Sequence, residues 1–260
     1  MSFTLEEFLK LKAEKERMDS ELRMASQLQQ NMMPKGYVIK DNVELYGKLV
    51  PAREMGGDLF DYYIRDEKLF FCIGDVCGKG APAAMLMAYA HAYLGTFTLK
   101  EDNPAHIIYS LNQIASDGND SCTFITLFFG VLHLSTGLLQ YCNAGHNPPY
   151  ILDSEVTMLD CHPNQPVGPM SDVEFILQEI TLRPGSTIFL YTDGLTEAQD
   201  KERLEFGVER TENALRDCLD RRLNPEEIVD TVTETVHHFT MKAEQSDDMT
   251  MLAIRYTPDK

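Results

Sequence analysis

Four aspartates stand beside strand-like runs of this 260-residue chain, and their type and placement make them the candidates for chemistry. They are Asp58 in Gly56-Gly57-Asp58, Asp75 in Ile73-Gly74-Asp75, Asp193 in Tyr191-Thr192-Asp193-Gly194, and Asp247 in Ser246-Asp247-Asp248-Met249-Thr250. Apolar text adjoins three of them: Leu69-Phe70-Phe71-Cys72-Ile73, Thr187-Ile188-Phe189-Leu190-Tyr191, and Met249 to Ile254. A carboxylate at the end of a buried strand is costly to desolvate unless it is paired or binds a cation. Few basic residues lie near these four. Hard divalent cations take oxygen ligands, and two of them side by side form a centre for phosphoryl transfer or hydrolysis. Any one of the aspartates alone reads as a turn former or helix cap; the four together do not.

The elements that must position them begin with an amphipathic helix. Thr4-x-x-Glu7 is a capping box, and from it runs the series Phe8, Leu11, Lys15, Met18, Leu22, Ala25, Gln29, Met32, with Pro34 as the stop. Lys15 and Gln29 interrupt the apolar stripe and would weaken a permanent coiled coil. Two arrangements stay open: a coiled-coil arm that makes a homodimer, or a helix folded back on its own domain. The expectation is a helix-mediated dimer that tunes the rest of the chain through the Ala81 to Leu99 helix. Residues 1–35 are thus read as a regulatory helix and 36–260 as one domain.

After Gly36 the text turns to strands. Val43 to Val50 alternates, Asp61 to Asp75 reads as a hairpin turning at Arg65-Asp66-Glu67, and Phe124 to Tyr141 reads as another around Ser135-Thr136-Gly137. Further strands are expected at Tyr150 to Leu152, Val156 to Leu159, Glu174 to Leu182, Thr187 to Tyr191 and Met249 to Tyr256. Helices are expected at Ala81 to Leu99, Pro104 to Ser116, Val208 to Leu219 and Pro225 to Met241. Antiparallel hairpins with helices inserted in blocks give the class α+β, helices layered over packed sheets.

Lys and Arg number 23 against 41 Asp and Glu, a net charge of −18. Residues 1–35 hold six of each sign, so the whole excess falls in 36–260. That disfavours nucleic acid and anionic membrane as partners, since both reward cationic surface. No apolar run approaches the ~20 residues of a membrane span, and the N-terminus has no signal-peptide core. Six scattered cysteines form neither a CxxC pair nor a zinc spacing and read as buried free thiols of a cytoplasmic protein.

Six motifs in order then carry a resemblance. They are Glu21-Leu22 to Gln30 with Met33-Pro34; Arg53-Glu54-Met55-Gly56-Gly57-Asp58-x-x-Asp61; Gly74-Asp75-Val76-Cys77-Gly78-Lys79-Gly80-x-Pro82-Ala83-Ala84; Asn143-Ala144-Gly145-His146-x-Pro148-Pro149; Tyr191-Thr192-Asp193-Gly194-Leu195-x-Glu197-Ala198; and Asp247-Asp248-x-Thr250. Together they resemble the PPM metal-dependent Ser/Thr protein phosphatases, in particular the bacterial SpoIIE-like branch of stress-response and sporulation partner switching. The resemblance implies an α-β-β-α sandwich of two mainly antiparallel sheets with two Mn²⁺ or Mg²⁺ ions between them. It assigns Asp75 as the bridging ligand, the Val76 carbonyl to one ion, Asp58 to the second ion directly or through water, and Asp193 and Asp247 to the first. It further implies attack by a metal-bound hydroxide on a phosphoprotein, with a phosphorylated anti-sigma-factor antagonist as substrate.

Two positions depart from the family. Some relatives carry a His two residues after the bridging Asp; here it is Cys77, and a buried neutral thiol is a poor acid, so Cys77 is assigned no catalytic role. Val167-Gly168-Pro169 replaces a small hydrophobic loop. His146 beside Asn143 ends a strand and is read as a structural hydrogen-bonding group. Arg53 and Lys79 lie within five residues of a proposed ligand and are candidates to clamp substrate phosphate. Asp248 is expected to orient its loop, and Asp61 to support the ligands. Gly74-x3-Gly78-Lys79-Gly80 lacks the spacing and the Ser or Thr of a nucleotide-binding loop. The competing reading is a catalytically silent binding or regulatory module of the same fold; a coiled-coil adaptor would leave the aspartates unexplained.

Overall fold

Asp66 and Glu67 both adopt positive φ, 50° and 57°, and so form the tight turn that a two-residue hairpin requires. Around that turn the computed structural model, which describes residues 4–119, 122–162, 164–241 and 243–258, builds its first sheet. Strands β3 (Leu59–Arg65) and β4 (Lys68–Val76) pair antiparallel, and β5 (Ile125–His133), β6 (Leu138–Ala144) and β9 (Gln178–Thr181) continue the ladder in the order β3-β4-β5-β6-β9. The second sheet has the order β1-β2-β11-β10-β7-β8, from β1 (Val38–Lys40), β2 (Val43–Val50), β7 (Tyr150–Leu152), β8 (Val156–Met158), β10 (Thr187–Tyr191) and β11 (Met249–Tyr256). Every pair is antiparallel.

The sheets pack face to face, and helices cover their outer sides. Helices α2 (Ala81–Phe97) and α3 (Pro104–Ser116) lie on the first sheet, and α5 (Gly207–Asp220) and α6 (Pro225–Thr240) on the second; α4 (Asp193–Thr196) is a single turn. One apolar cluster fills the space between the sheets and under α2 and α3, joining Phe60, Phe71, Phe128 and Tyr141 to Ile188 and Ile254. A second joins Phe189, Tyr191 and Met251 to Leu215, Ile228 and Val232 beneath α5 and α6. The expected α-β-β-α sandwich is the fold. Among the described residues no helix is long and apolar enough to cross a membrane.

Helix α1 (Leu5–Gln30) opens with the expected capping box: the Thr4 hydroxyl accepts from Glu7 N, and the Glu7 carboxylate accepts from Thr4 N at 2.9 Å. The helix ends at Gln30, four residues before Pro34. Leu5, Phe8, Leu11 and Met18 are all exposed, so the first half of the helix does not fold back on its own sheet. The expected strand from Glu174 shrinks to β9 because Ile176 N donates to the Asn164 side chain at 3.2 Å rather than to a ladder. The six cysteines are free, but they are not all buried: Cys122 is exposed.

Candidate active site

The β3–β4 register sets Leu59 opposite Gly74, so Asp58 and Asp75, one residue beyond each, come together at the end of the hairpin. They share a hydrogen bond. Asp58 is 2% exposed, and its Oδ2 accepts from two hydroxyls of the other sheet, Thr192 Oγ1 at 2.8 Å and Thr250 Oγ1 at 2.6 Å. Thr192 Oγ1 also accepts from Thr250 N at 3.0 Å, which leaves its own hydrogen for Asp58. Burial, and then the charge of Asp75, push the Asp58 carboxyl far above the usual range. Burial, then the charge of Asp193, raise Asp75 to about 7.

Asp193 starts α4 directly after β10, and Asp247 stands in the turn before β11, so adjacent strands deliver both to the same end of the sandwich. Burial and the neighbouring Asp247 raise the Asp193 carboxyl. Lys79 pairs with Asp247 Oδ2 at 2.7 Å and donates to Ser246 O at 2.7 Å. Val76 is buried, and its carbonyl faces Gly57, where a Cβ would stand 2.7 Å from the oxygen.

These groups fit hard divalent cations in kind and in charge. All the donors are oxygens, several are buried, and burial together with one another's charge raises the carboxyls of Asp58, Asp75 and Asp193. As placed, the side chains do not close round one ion: among the described residues no cluster of three or more carboxylate, imidazole or thiol groups is gathered tightly enough to hold a metal. The Lys79–Asp247 pair and the Asp58–Asp75 hydrogen bond hold the carboxylates in this arrangement.

The loop carrying Asp58 is fixed from behind by Asp248. Asp248 Oδ1 accepts from Ala52 N at 2.9 Å and Oδ2 from Gly57 N at 3.1 Å. The approach is so close that a Cβ on Gly56 would lie 1.6 Å from Asp248 Oδ2, and one on Gly194 would lie 1.9 Å from the Asp248 carbonyl. Asp248 therefore orients loops, as expected. On the other side, the Gln29 amide of α1 reaches Gly56: its Nε2 donates to Gly56 O at 2.6 Å and its Oε1 accepts from Gly56 N at 3.2 Å. The contact of α1 with the aspartate loops thus runs through Gly56.

The sequence model of the family described as Stage II sporulation protein E (SpoIIE) matches residues 65–257. The chain belongs to the SpoIIE family. It is 31% identical to Protein IcfG of Synechocystis sp. (strain ATCC 27184 / PCC 6803 / Kazusa) over 90% of this chain and 41% of IcfG. It is 26% identical to Phosphoserine phosphatase RsbU of Bacillus subtilis (strain 168) over 91% of this chain and 70% of RsbU. This chain therefore spans less than half of IcfG and about two thirds of RsbU. The structure of the SiaA-PP2C domain of Pseudomonas aeruginosa superposes with a TM-score of 0.81, at 23% identity, over 94% of this chain and 99% of that one. That likeness shows the PP2C fold.

Other residues of this SpoIIE-family chain sort by what they touch. His146 is buried with both ring nitrogens engaged, Nε2 donating to Tyr191 O at 3.1 Å and Nδ1 at 2.9 Å from Thr126 Oγ1. It bolts β10 to β5 beside Asp75, whose ladder partner is Thr126. Cys77 Sγ accepts from Phe124 N at 3.1 Å. Asn112 Oδ1 accepts from Gly168 N at 2.8 Å and Asn119 Nδ2 donates to Gly168 O at 3.0 Å, fixing the departing Val167-Gly168-Pro169 loop. Arg53 is exposed on the loop before Asp58. Asp61 does not support the ligands. It sits opposite Cys72, on the helix-covered face, and pairs with His91 of α2 at 3.0 Å. Thr192 and Thr250, which hold Asp58, had no role in the sequence reading although both lie inside its motifs.

Proposed function

We propose that this SpoIIE-family chain is a metal-dependent protein-serine/threonine phosphatase acting on a phosphoprotein. The observation that carries the reading is the buried Asp58–Asp75 pair with Asp193 and Asp247 delivered to the same end of the sandwich. Asp58, Asp75, Asp193, Asp247 and the Val76 carbonyl would hold two Mn²⁺ or Mg²⁺ ions. When bound, such ions neutralise phosphate oxygens and lower the pKa of water. The chain's own part is orientation. Thr192 and Thr250 fix one oxygen of Asp58, Asp248 fixes the backbone before it, and His146 ties the sheets beside Asp75. Lys79, paired with Asp247, and Arg53, exposed on the loop before Asp58, are the candidates to meet a substrate phosphate. Cys77 is engaged by a backbone N–H and forms no phosphoenzyme.

Membership of the family and the similarity to RsbU, a phosphoserine phosphatase, support this activity. The family resemblance points to a phosphorylated anti-sigma-factor antagonist as substrate, in the cytoplasm. Residues 1–35 act as the regulatory helix and 36–260 as the catalytic domain. The apolar residues exposed along the first half of α1 support a homodimer through that helix. The test is hydrolysis of p-nitrophenyl phosphate and a phosphoserine peptide with Mn²⁺, followed by chelation. Full activity in EDTA after dialysis would sink the metal-dependent reading, and no turnover at any Mn²⁺ concentration would leave the silent binding module.

A further inference from the structure

Helix α2 carries no Asp, Glu, Lys or Arg in its seventeen residues, Ala81 to Phe97, yet one of its faces is uncovered. Met85 is 73% exposed and Tyr89, one turn on, 37% exposed. A helix that is apolar all round belongs in a core, and one left bare at the surface marks a missing partner. That face forms one wall of a groove of ≈ 660 Å³, to which Leu86 and Ile114 also contribute. Cys77 and Lys79 close its near end, directly after Asp75 and Val76.

We infer that this groove receives the polypeptide flanking the phosphorylated residue of the substrate, through an apolar side chain of that partner. The inference rests on the phosphatase reading and adds to it a specificity surface. Continuity with the aspartate loops selects this occupant, since a chain whose phosphate lies at Asp75 finds the groove along α2 directly past Lys79. Pro82 to Tyr89 spans about 10 Å at 1.5 Å per helical residue, which an extended chain covers in about three residues. The anchor is therefore an apolar residue roughly three to five positions from the phosphoserine. Charge argues in the same direction. Lys79 lines the end nearest the phosphate, and Asp117 lies close to Tyr89 at the far end, so the groove suits a partner that is anionic at one end and neutral or basic at the other. A second copy docked by residues 36–260, which carry the whole excess of −18, is opposed by like-charge repulsion, unlike a pairing of the charge-balanced α1 helices.

The experiment uses the full chain with Mn²⁺ and three probes: p-nitrophenyl phosphate, a polar phosphoserine peptide, and the same peptide with one leucine scanned from two to six positions on each side. The wild type is expected to gain about tenfold in kcat/KM at one leucine position, the range a single apolar contact gives. Met85→Glu and Tyr89→Ala alter exposed side chains. They are expected to erase that gain while leaving p-nitrophenyl phosphate hydrolysis within about twofold of wild type, as remote uniform binding contributes no chemistry. A leucine preference that survives both variants overturns the docking site, as does a wild type with no preference. So does a fall in solution mass on Met85→Glu, which would make the face a contact between copies. Loss of p-nitrophenyl phosphate hydrolysis in the wild type itself removes the phosphatase reading and the groove's role together.

Discussion

Gln29 brackets Gly56. The side-chain amide donates to the Gly56 carbonyl at 2.6 Å and accepts from its N–H at 3.2 Å, so one residue of α1 satisfies both backbone groups of a residue two positions before Asp58. A hydrogen-bonding side chain on a mainly apolar stripe is a flaw in a coiled coil, but here it joins a projecting helix to the aspartate loop.

Removing that bracket has a defined expectation. Gln29→Leu leaves two half-buried backbone groups without partners, each costing about 1–3 kcal/mol at worst. We expect a stability loss of about 1–2 kcal/mol in urea unfolding and a rise in the Mn²⁺ concentration giving half-maximal activity. Deleting residues 1–19 keeps Gln29, so it should halve the mass seen by light scattering while leaving the Mn²⁺ requirement unchanged. Unchanged mass after the deletion would show that the helix is no dimeriser.

Asp75→Asn and Asp193→Asn each remove a charge from the proposed metal cage and should lower kcat by several orders of magnitude. Cys77→Ser should be close to wild type, because a hydroxyl also accepts from Phe124 N. Steady-state kinetics on p-nitrophenyl phosphate compares the three. A Cys77→Ser protein as inactive as Asp75→Asn would mean that the thiol moves a proton after all.

Glycines at the back of the site are steric requirements. Gly56→Ala and Gly194→Ala each force a methyl into Asp248, and we expect losses of about 1–3 kcal/mol together with most of the activity. Gly95→Ala is the control: it lies in α2 with nothing within 4 Å of the added carbon and should gain about 0.5–1 kcal/mol. Thermal unfolding of the three proteins reads the contrast directly.

Burial keeps the His146 imidazole neutral and lowers its pKa from 6.5 to about 4. The unfolded chain therefore binds a proton between pH 6.5 and 4 that the folded chain refuses. The stability contributed by neutral His146 is complete above pH 6.5 and is lost as the pH falls toward 4, by on the order of 3 kcal/mol over the interval. The gap in unfolding free energy between wild type and His146→Gln should narrow by most of that amount from pH 7 to pH 4.5. A gap that stays constant with pH would mean that the imidazole titrates normally.

The hairpin turn at Asp66-Glu67, the helix after Gly80 and the four aspartates were all legible because each is local: a turn, a cap or a strand end carries its own signal. Asp61 was misread for want of register, since its face follows from its pairing with Cys72 rather than Asp75. Thr192 and Thr250 escaped for a related reason. Nothing within their own segments says that residues 58 apart in sequence, one just past β10 and one in β11, aim two hydroxyls at the same carboxylate. Gln29 was recognised as polar in an apolar stripe, but its partner lies 27 residues away, beyond any helical periodicity.

Strand β11, last of the strands in chain order, does not lie at the edge of its sheet; it is inserted between β2 and β10. It brings Thr250 to Asp58, and the turn before it carries Asp247. A nascent polypeptide whose residues 247–256 are still inside the ribosome has its first sheet synthesised but no completed aspartate centre. The four aspartates therefore meet only after this strand has been made and has closed between two strands synthesised before it.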